Sequence, residues 1–230
     1  MIKYLFIIIL FLSLSQYSKA DSDELKNPIY FLRTMPMSDC VHSKCTIPKY
    51  YRTFSLHVFQ VRNDTYTPAK CDPNNPFDIN KVKSIKKKLE EAWPDFRNWD
   101  SPQGFWGTQW EHSGTCTEPY LTTQLAYFQQ ALTARENVHP NKALIEASIL
   151  PSNTTTYTYS QFDDAFTKHH GKKTTIKCMN SWNDVVILHE IGYCFDMDFN
   201  AVDCSETIRN EQKEWCDDGS KIFLLDWWKQ

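Results

Sequence analysis

An imidazole is the one side chain that titrates near neutral pH without help from its surroundings, so acid–base chemistry in this chain is first sought among its seven histidines. Two of them keep suggestive company. His57 lies inside Phe54-Ser55-Leu56-His57-Val58-Phe59, and His112 inside Phe105-Trp106-Gly107-Thr108-Gln109-Trp110-Glu111-His112-Ser113-Gly114-Thr115-Cys116. Two imidazoles suffice in principle for a reaction that needs one group to take a proton and another to give one. The plainer reading of a histidine on an apolar strand is a packed, hydrogen-bonded core residue. His169-His170, beside Gly171-Lys172-Lys173, has the look of a metal or anion site, but a helix C-terminus favours cations and accounts for the pair. His42, His139 and His189 carry no motif, and no metal or cofactor is expected.

Two further groups are open to a binding role. Trp99, Phe105, Trp106 and Trp110 could stack the bases of single-stranded RNA, with burial in the core as the competing reading. Lys81, Lys83, Lys86, Lys87 and Lys88 could meet phosphates, yet on an amphipathic helix they read more simply as its solvated side.

These residues need elements to hold them. Ile29–Thr34, Phe54–Val61, Thr174–Met179, Val185–Phe195 and Ile222–Trp227 are β-branched and aromatic runs that predict strands. Ile79, Val82, Ile85, Leu89 and Ala92 recur at helical spacing, with Asp78 as cap and Pro94 as stop. Leu121, Leu125, Phe128 and Leu132 repeat that pattern up to His139-Pro140. Shorter helices are expected over 141–150 and 160–168, the second opening on a Ser160-x-x-Asp163 capping signature and closing before Gly171. Strands, then helices, then strands again predict an α+β domain with a central antiparallel sheet.

Composition sets the setting. Of 230 residues 41% are hydrophobic and 14% aromatic, with only 6 Gly, which excludes disordered and collagen-like chains. Residues 1–20 read as a signal peptide: Lys3, an apolar stretch over Leu5–Leu14, and a small-x-small Ser18-Lys19-Ala20 cleavage site. The stretch is too short to span a bilayer, so the mature chain, a single domain over 21–230, is expected to be exported to the extracellular space, cell wall or vacuole. Loss of Lys3 and Lys19 moves the net charge from −3 to −5, which argues against strong non-specific attraction to nucleic acid. All eight cysteines lie after the leader and none forms a C-x-x-C pair, so four disulfides are expected rather than zinc. Asn63-Asp64-Thr65 and Asn153-Thr154-Thr155 are N-glycosylation acceptors at exposed loops.

The two histidine segments together make the chain resemble the secreted ribonuclease T2 family, most nearly its plant S-like and self-incompatibility branch. The family signature F-T-I-H-G-L-W-P corresponds to Phe54–Val61. A second signature, F-W-x-H-E-W-x-K-H-G-T-C, corresponds to Phe105–Cys116, with Phe105, Trp106, Trp110, Gly114, Thr115 and Cys116 identical. Cys71-Asp72-Pro73-Asn74-Asn75-Pro76-Phe77-Asp78, Ala92-Trp93-Pro94 and Ala126-Tyr127-Phe128 also match. The resemblance implies the pairs Cys40–Cys45, Cys71–Cys116, Cys178–Cys216 and Cys194–Cys204. It implies RNA cleavage by transesterification through a 2′,3′-cyclic phosphate, with single-stranded RNA as partner; of the aromatic cluster, Trp106 and Trp110 are the expected substrate contacts.

Residue by residue, the resemblance carries over only in part. His57 matches the histidine of the first signature and keeps the place of the general acid. Thr108, Gln109, His112 and Ser113 stand where the family has His, Glu, Lys and His. A hydroxyl cannot replace an imidazole as base, and loss of one such group costs about 10²–10⁴ in rate. Thr108 and Gln109 also remove charge aimed at the phosphorane. On a helix His112 sits about 100° from the position of the family's base, which leaves it a phosphate contact or a rearranged base. Val58-Phe59-Gln60-Val61 and Met35-Pro36 erode the first signature as well. The expectation is a retained fold with impaired or lost cleavage; the alternative is an active acidic endoribonuclease using His57 and His112.

Overall fold

The computed structural model describes residues 29–181, 185–217 and 219–225; the leader at 1–20 lies outside the described residues. Strand β1, Ile29–Thr34, is buried along its whole length because both its faces are covered, Ile29 and Phe31 in the main core and Tyr30 and Leu32 in a second cluster with Ile208. On one side it pairs antiparallel with β2, Ser55–Val61, and on the other with β5, Val186–Phe195. Strand β4, Thr175–Asn180, pairs antiparallel with β5. Three two-residue strands complete the sheet: β3 (Thr156–Tyr157), β6 (Ala201–Val202) and β7 (Ile222–Phe223). The order is β2-β1-β5-β7-β3, with β4 and β6 also on β5. All these pairings are antiparallel except β5 with β7. The class is α+β, and of the five expected strands four match within a residue or two; Asp226 and Trp227 of the fifth lie outside the described residues.

The helices are α1 (Pro36–Asp39), α2 (Lys86–Ala92), α3 (Gln103–His112), α4 (Gln124–Asn137), α5 (Pro140–Glu146), α6 (Tyr159–His170) and α7 (Glu206–Gln212). Ile79–Ile85 forms 3-10 turns ahead of α2, capped by the Asp78 carboxylate on the Asn80 amide. Val82, Ile85, Leu89 and Ala92 are buried while Lys81, Lys83, Lys87 and Lys88 are exposed, so the lysine run is the solvated face. The capping box of α6 is Thr158 with Gln161, two residues before the Ser160–Asp163 signature expected, because Thr158 takes the extended conformation that a cap needs. Gly171 ends that helix at φ 74°, a conformation that costs glycine little.

Aromatic side chains fill the space between sheet and helices. Phe31 meets Phe59 edge-on at 6.1 Å and Phe195 at 6.3 Å, and Tyr127 of α4 meets Phe59 at 5.6 Å and Trp110 at 5.7 Å. The four disulfides are Cys40–Cys45, Cys71–Cys116, Cys178–Cys216 and Cys194–Cys204. Among the described residues no helix is long and apolar enough to cross a membrane.

Candidate active site

His57 is where it is because of a β-bulge. In the β1–β2 ladder Leu32 faces Val58 and Arg33 faces Leu56, which leaves His57 as the extra, unpaired residue. A second bulge lies two strands away. In the β4–β5 ladder Lys177 faces Glu190 and Cys178 faces Leu188, so His189 is the extra residue there. Both freed carbonyls are captured: that of His57 by the Trp93 indole N–H at 3.1 Å, that of His189 by the Met35 amide at 2.9 Å. The bulges turn the two imidazoles toward one carboxylate. His57 Nδ1 pairs with Glu190 Oε1, and His189 Nε2 lies 3.8 Å from the same oxygen. Lys177 Nζ stands 3.6 Å from Oε2. His189 Nδ1 is 2.7 Å from the Ser38 hydroxyl.

The charges split by environment. Glu190 is 1% exposed; burial alone would raise its pKa, but the His57 charge and hydrogen bond, with His189 and Lys177, hold it down at about 2. Burial lowers the affinity of His57 for its proton, and the Glu190 charge, the Glu190 hydrogen bond and then Asp39 more than offset it, so the net shift is upward. His189 goes the other way: burial dominates and its pKa falls despite Glu190 and Asp39. Burial raises Asp39, with His57 and His189 opposing. The two imidazoles are thus pushed in opposite directions, His57 toward holding its proton and His189 toward losing it. Pairs of like groups pushed apart in this way are how acid and base roles are separated at one pH.

His57 opens on a cavity of about 360 Å³ lined also by Asp39, Asp95, Arg97, Phe105 and Thr108. The Phe105 ring stacks on the imidazole at 6.5 Å and 22°. The cavity can hold a planar group against Phe105 and an anionic group against His57 and Arg97.

Residues 27–204 match the Ribonuclease T2 family. The chain belongs to the Ribonuclease T2 family. It is 27% identical over 187 residues to Ribonuclease Oy of Magallana gigas, covering 78% of this chain and 88% of that one. To the Ribonuclease-like storage protein of Panax ginseng it is 27% identical over 165 residues, 71% and 68% of the two chains. A solved mutant of RNase MC1 in complex with 5′-GMP superposes with a TM-score of 0.70 at 26% identity, covering 77% of this chain and 93% of that one.

Within this Ribonuclease T2 chain, α3 carries the second signature, and its identical residues are framework. Trp106 is 0% and Trp110 2% exposed, their indole N–H groups donating to the carbonyls of Trp93 at 2.7 Å and Asn75 at 2.8 Å. The expectation that they contact substrate is therefore corrected: both rings are spent on the core, and the ring beside the cavity is Phe105. Gly114 lies so close to the Trp110 ring that a Cβ would collide with it. Cys116 ties the end of α3 to Cys71.

The positions where the resemblance leads one to expect His, Glu, Lys and His, namely Thr108, Gln109, His112 and Ser113, fall apart in space. Thr108 is exposed on the cavity wall and returns its hydroxyl to the Gly104 carbonyl at 3.1 Å. Gln109 is 8% and Ser113 4% exposed. His112, exposed at the end of α3, lies one turn beyond Thr108 and outside the cavity lining, so it is not brought to His57. Sequence reasoning missed Glu190, His189, Lys177 and Asp39. Their signal, a register slip in each of two ladders, exists only once strands are paired. His169 and His170 diverge, His169 to Glu146 at 2.7 Å and His170 to the Tyr193 ring at 4.8 Å.

Proposed function

We propose that this chain is an exported Ribonuclease T2 protein whose RNA cleavage is impaired or absent, kept for binding single-stranded RNA, for storage or for defence. The observation that carries the reading is the composition of the α3 wall facing His57: Thr108 there, with Gln109 and Ser113 buried, supplies no imidazole or carboxylate from the family positions. The family's reaction needs a group to take the 2′-hydroxyl proton and another to protonate the leaving 5′-oxygen. His57 alone covers one of the two. The likeness to a storage protein and to a nucleotide-bound RNase supports a retained fold and a base-sized cleft. Export follows from the leader at 1–20, and Asn63 and the exposed Asn153 are the proposed glycan sites. RNA hydrolysis measured between pH 4 and 8 is expected to stay at background in the wild type and in His57→Ala alike. Turnover at the rate of an intact family member, lost in His57→Ala, would overturn the proposal.

In a second reading, an active acidic endoribonuclease, the partner of His57 is His189, which the bulge in β5 turns toward the same Glu190 oxygen and which, like His112, lies outside the cavity lining. In that reading neutral His189 takes the 2′-hydroxyl proton, the 2′-oxygen attacks phosphorus, and the His57 imidazolium protonates the departing 5′-oxygen to leave a 2′,3′-cyclic phosphate. Activity abolished by His189→Ala and indifferent to His112→Ala would select it.

A further inference from the structure

Away from the His57 cleft, the guanidiniums of Arg33 and Arg135 have no counter-charge among the described residues. Arg33 of β1 is 2% exposed and donates only to backbone carbonyls: Ser55 through Nε at 3.3 Å, Val138 through Nη1 at 3.5 Å, and Phe54 through Nη2. Arg135, on the last turn of α4, has its Nε buried with no hydrogen-bond partner. Among the described residues neither forms an ion pair. The contrast within the same molecule is sharp, since Arg62 pairs with Glu211 at 2.7 Å and Arg209 with Asp163 at 2.8 Å. Burying a cation without an opposite charge is costly, and placing a second beside it adds repulsion. Burial first, and Arg135 next, lower the Arg33 pKa to about 10.

Both side chains line one cavity of about 450 Å³, together with His139, Asn141, Lys142 and Glu136. Asn141 is committed to the rim: its amide oxygen faces Thr53 and the Phe54 amide, and its Nδ2 donates to the Arg52 carbonyl at 2.8 Å. Lys142 Nζ lies 3.8 Å from Glu146, a loose contact at the surface. Glu136 is exposed and pairs with neither arginine among the described residues. Arg33, Arg135 and Lys142 thus line the cavity with Glu136, Lys142 also touching Glu146 outside it, and a guanidinium fork suits a tetrahedral oxyanion; Arg33 keeps one further hydrogen on each Nη after its three carbonyl bonds.

We infer that the cavity between β1, the end of α4 and the start of α5 is a phosphate-binding site, in which Arg33 and Arg135 hold the oxyanion and Lys142 closes its outer side. The site goes beyond the His57 cleft and shares no lining residue with it. The phosphate is either free or the terminal phosphate of an RNA strand, and both present the same charged tetrahedron.

The test is calorimetric titration of the full chain, in a phosphate-free buffer, with inorganic phosphate and with matched 5′-phosphorylated and 5′-hydroxyl oligoribonucleotides. Wild type is expected to bind inorganic phosphate with millimolar or tighter affinity. Arg135→Gln, at a half-buried position, is expected to weaken that binding by about tenfold or more, the scale of losing one charged contact. His57→Ala is expected to leave it unchanged, which separates this site from the cleft. Arg33→Met should behave like Arg135→Gln; if it fails to fold, Arg135→Gln decides alone. A terminal RNA phosphate as ligand predicts tighter binding of the 5′-phosphorylated strand, with the difference erased by Arg135→Gln; free phosphate predicts equal binding of the two strands. Absence of saturable phosphate binding, or equal affinity in wild type and Arg135→Gln, would overturn the inference.

Discussion

Glu190 decides the state of His57. A carboxylate 1% exposed has no water to solvate it, so its charge is directed at the imidazole it touches, and Lys177, His189 and Asp39 complete the surroundings. Glu190→Gln is therefore expected to lower the His57 pKa, read from the imidazole proton shifts in an NMR titration; an unchanged midpoint would show that Asp39 carries the effect instead. The pair also has a pH signature. His57 has a raised folded pKa, so its contribution to stability is complete below the unfolded value near 6.5 and fades as pH climbs through the folded one. Glu190 has a depressed folded pKa, so its contribution is complete above the unfolded value near 4.5 and is lost as pH falls toward about 2. The pair supports the fold most between these limits. Thermal melts across pH 3 to 9 should show a maximum there that flattens in Glu190→Gln.

At the scale of elements, α3 buries Trp106, Gln109 and Trp110 and turns Thr108 and His112 to solvent. Trp106 and Trp110 anchor it through ring burial and two indole hydrogen bonds, while Thr108 and His112 look outward. Gly114 belongs to the inner face, since the following 3-10 turn passes against the Trp110 ring. Gly114→Ala is expected to destabilise by about 1–3 kcal/mol, the usual cost of forcing atoms into a packed core, measured by urea denaturation. Cleft binding should not follow the loss if the sheet side of the site is independent of that turn. Each of the two bulges gives up one ladder pairing and re-aims a side chain, His57 of β2 and His189 of β5, toward Glu190.

For the whole molecule, the disulfides matter because the sheet is assembled from distant segments. Cys178 and Cys216, both fully buried, join β4 to the stretch after α7 across 38 residues. Replacing both with Ala is expected to cost about 2–5 kcal/mol and to lower the melting temperature, whereas the exposed Cys71 end of Cys71–Cys116 leaves less packing to lose. A double variant with an unchanged melting temperature would contradict the view that this bridge restrains the sheet.

The residue pattern by itself determined the α+β class, the strands from Ile29 to Phe195 and the solvated lysine face of α2, and it singled out His57 as the acid–base candidate. It did so because apolar periodicity and turn residues are local, and because signature identities sit at fixed spacing. The same locality left Trp106 and Trp110 open between base and core, since an aromatic ring reads alike in either place; only the indole hydrogen bonds to the Trp93 and Asn75 carbonyls tell the two apart. Tertiary structure alone decided that Glu190, His189 and Lys177 gather at His57, and that Arg33 meets Arg135. Residues 133 positions apart in the chain meet when a one-residue slip in a ladder re-aims a side chain, and no spacing in one strand records its register against another.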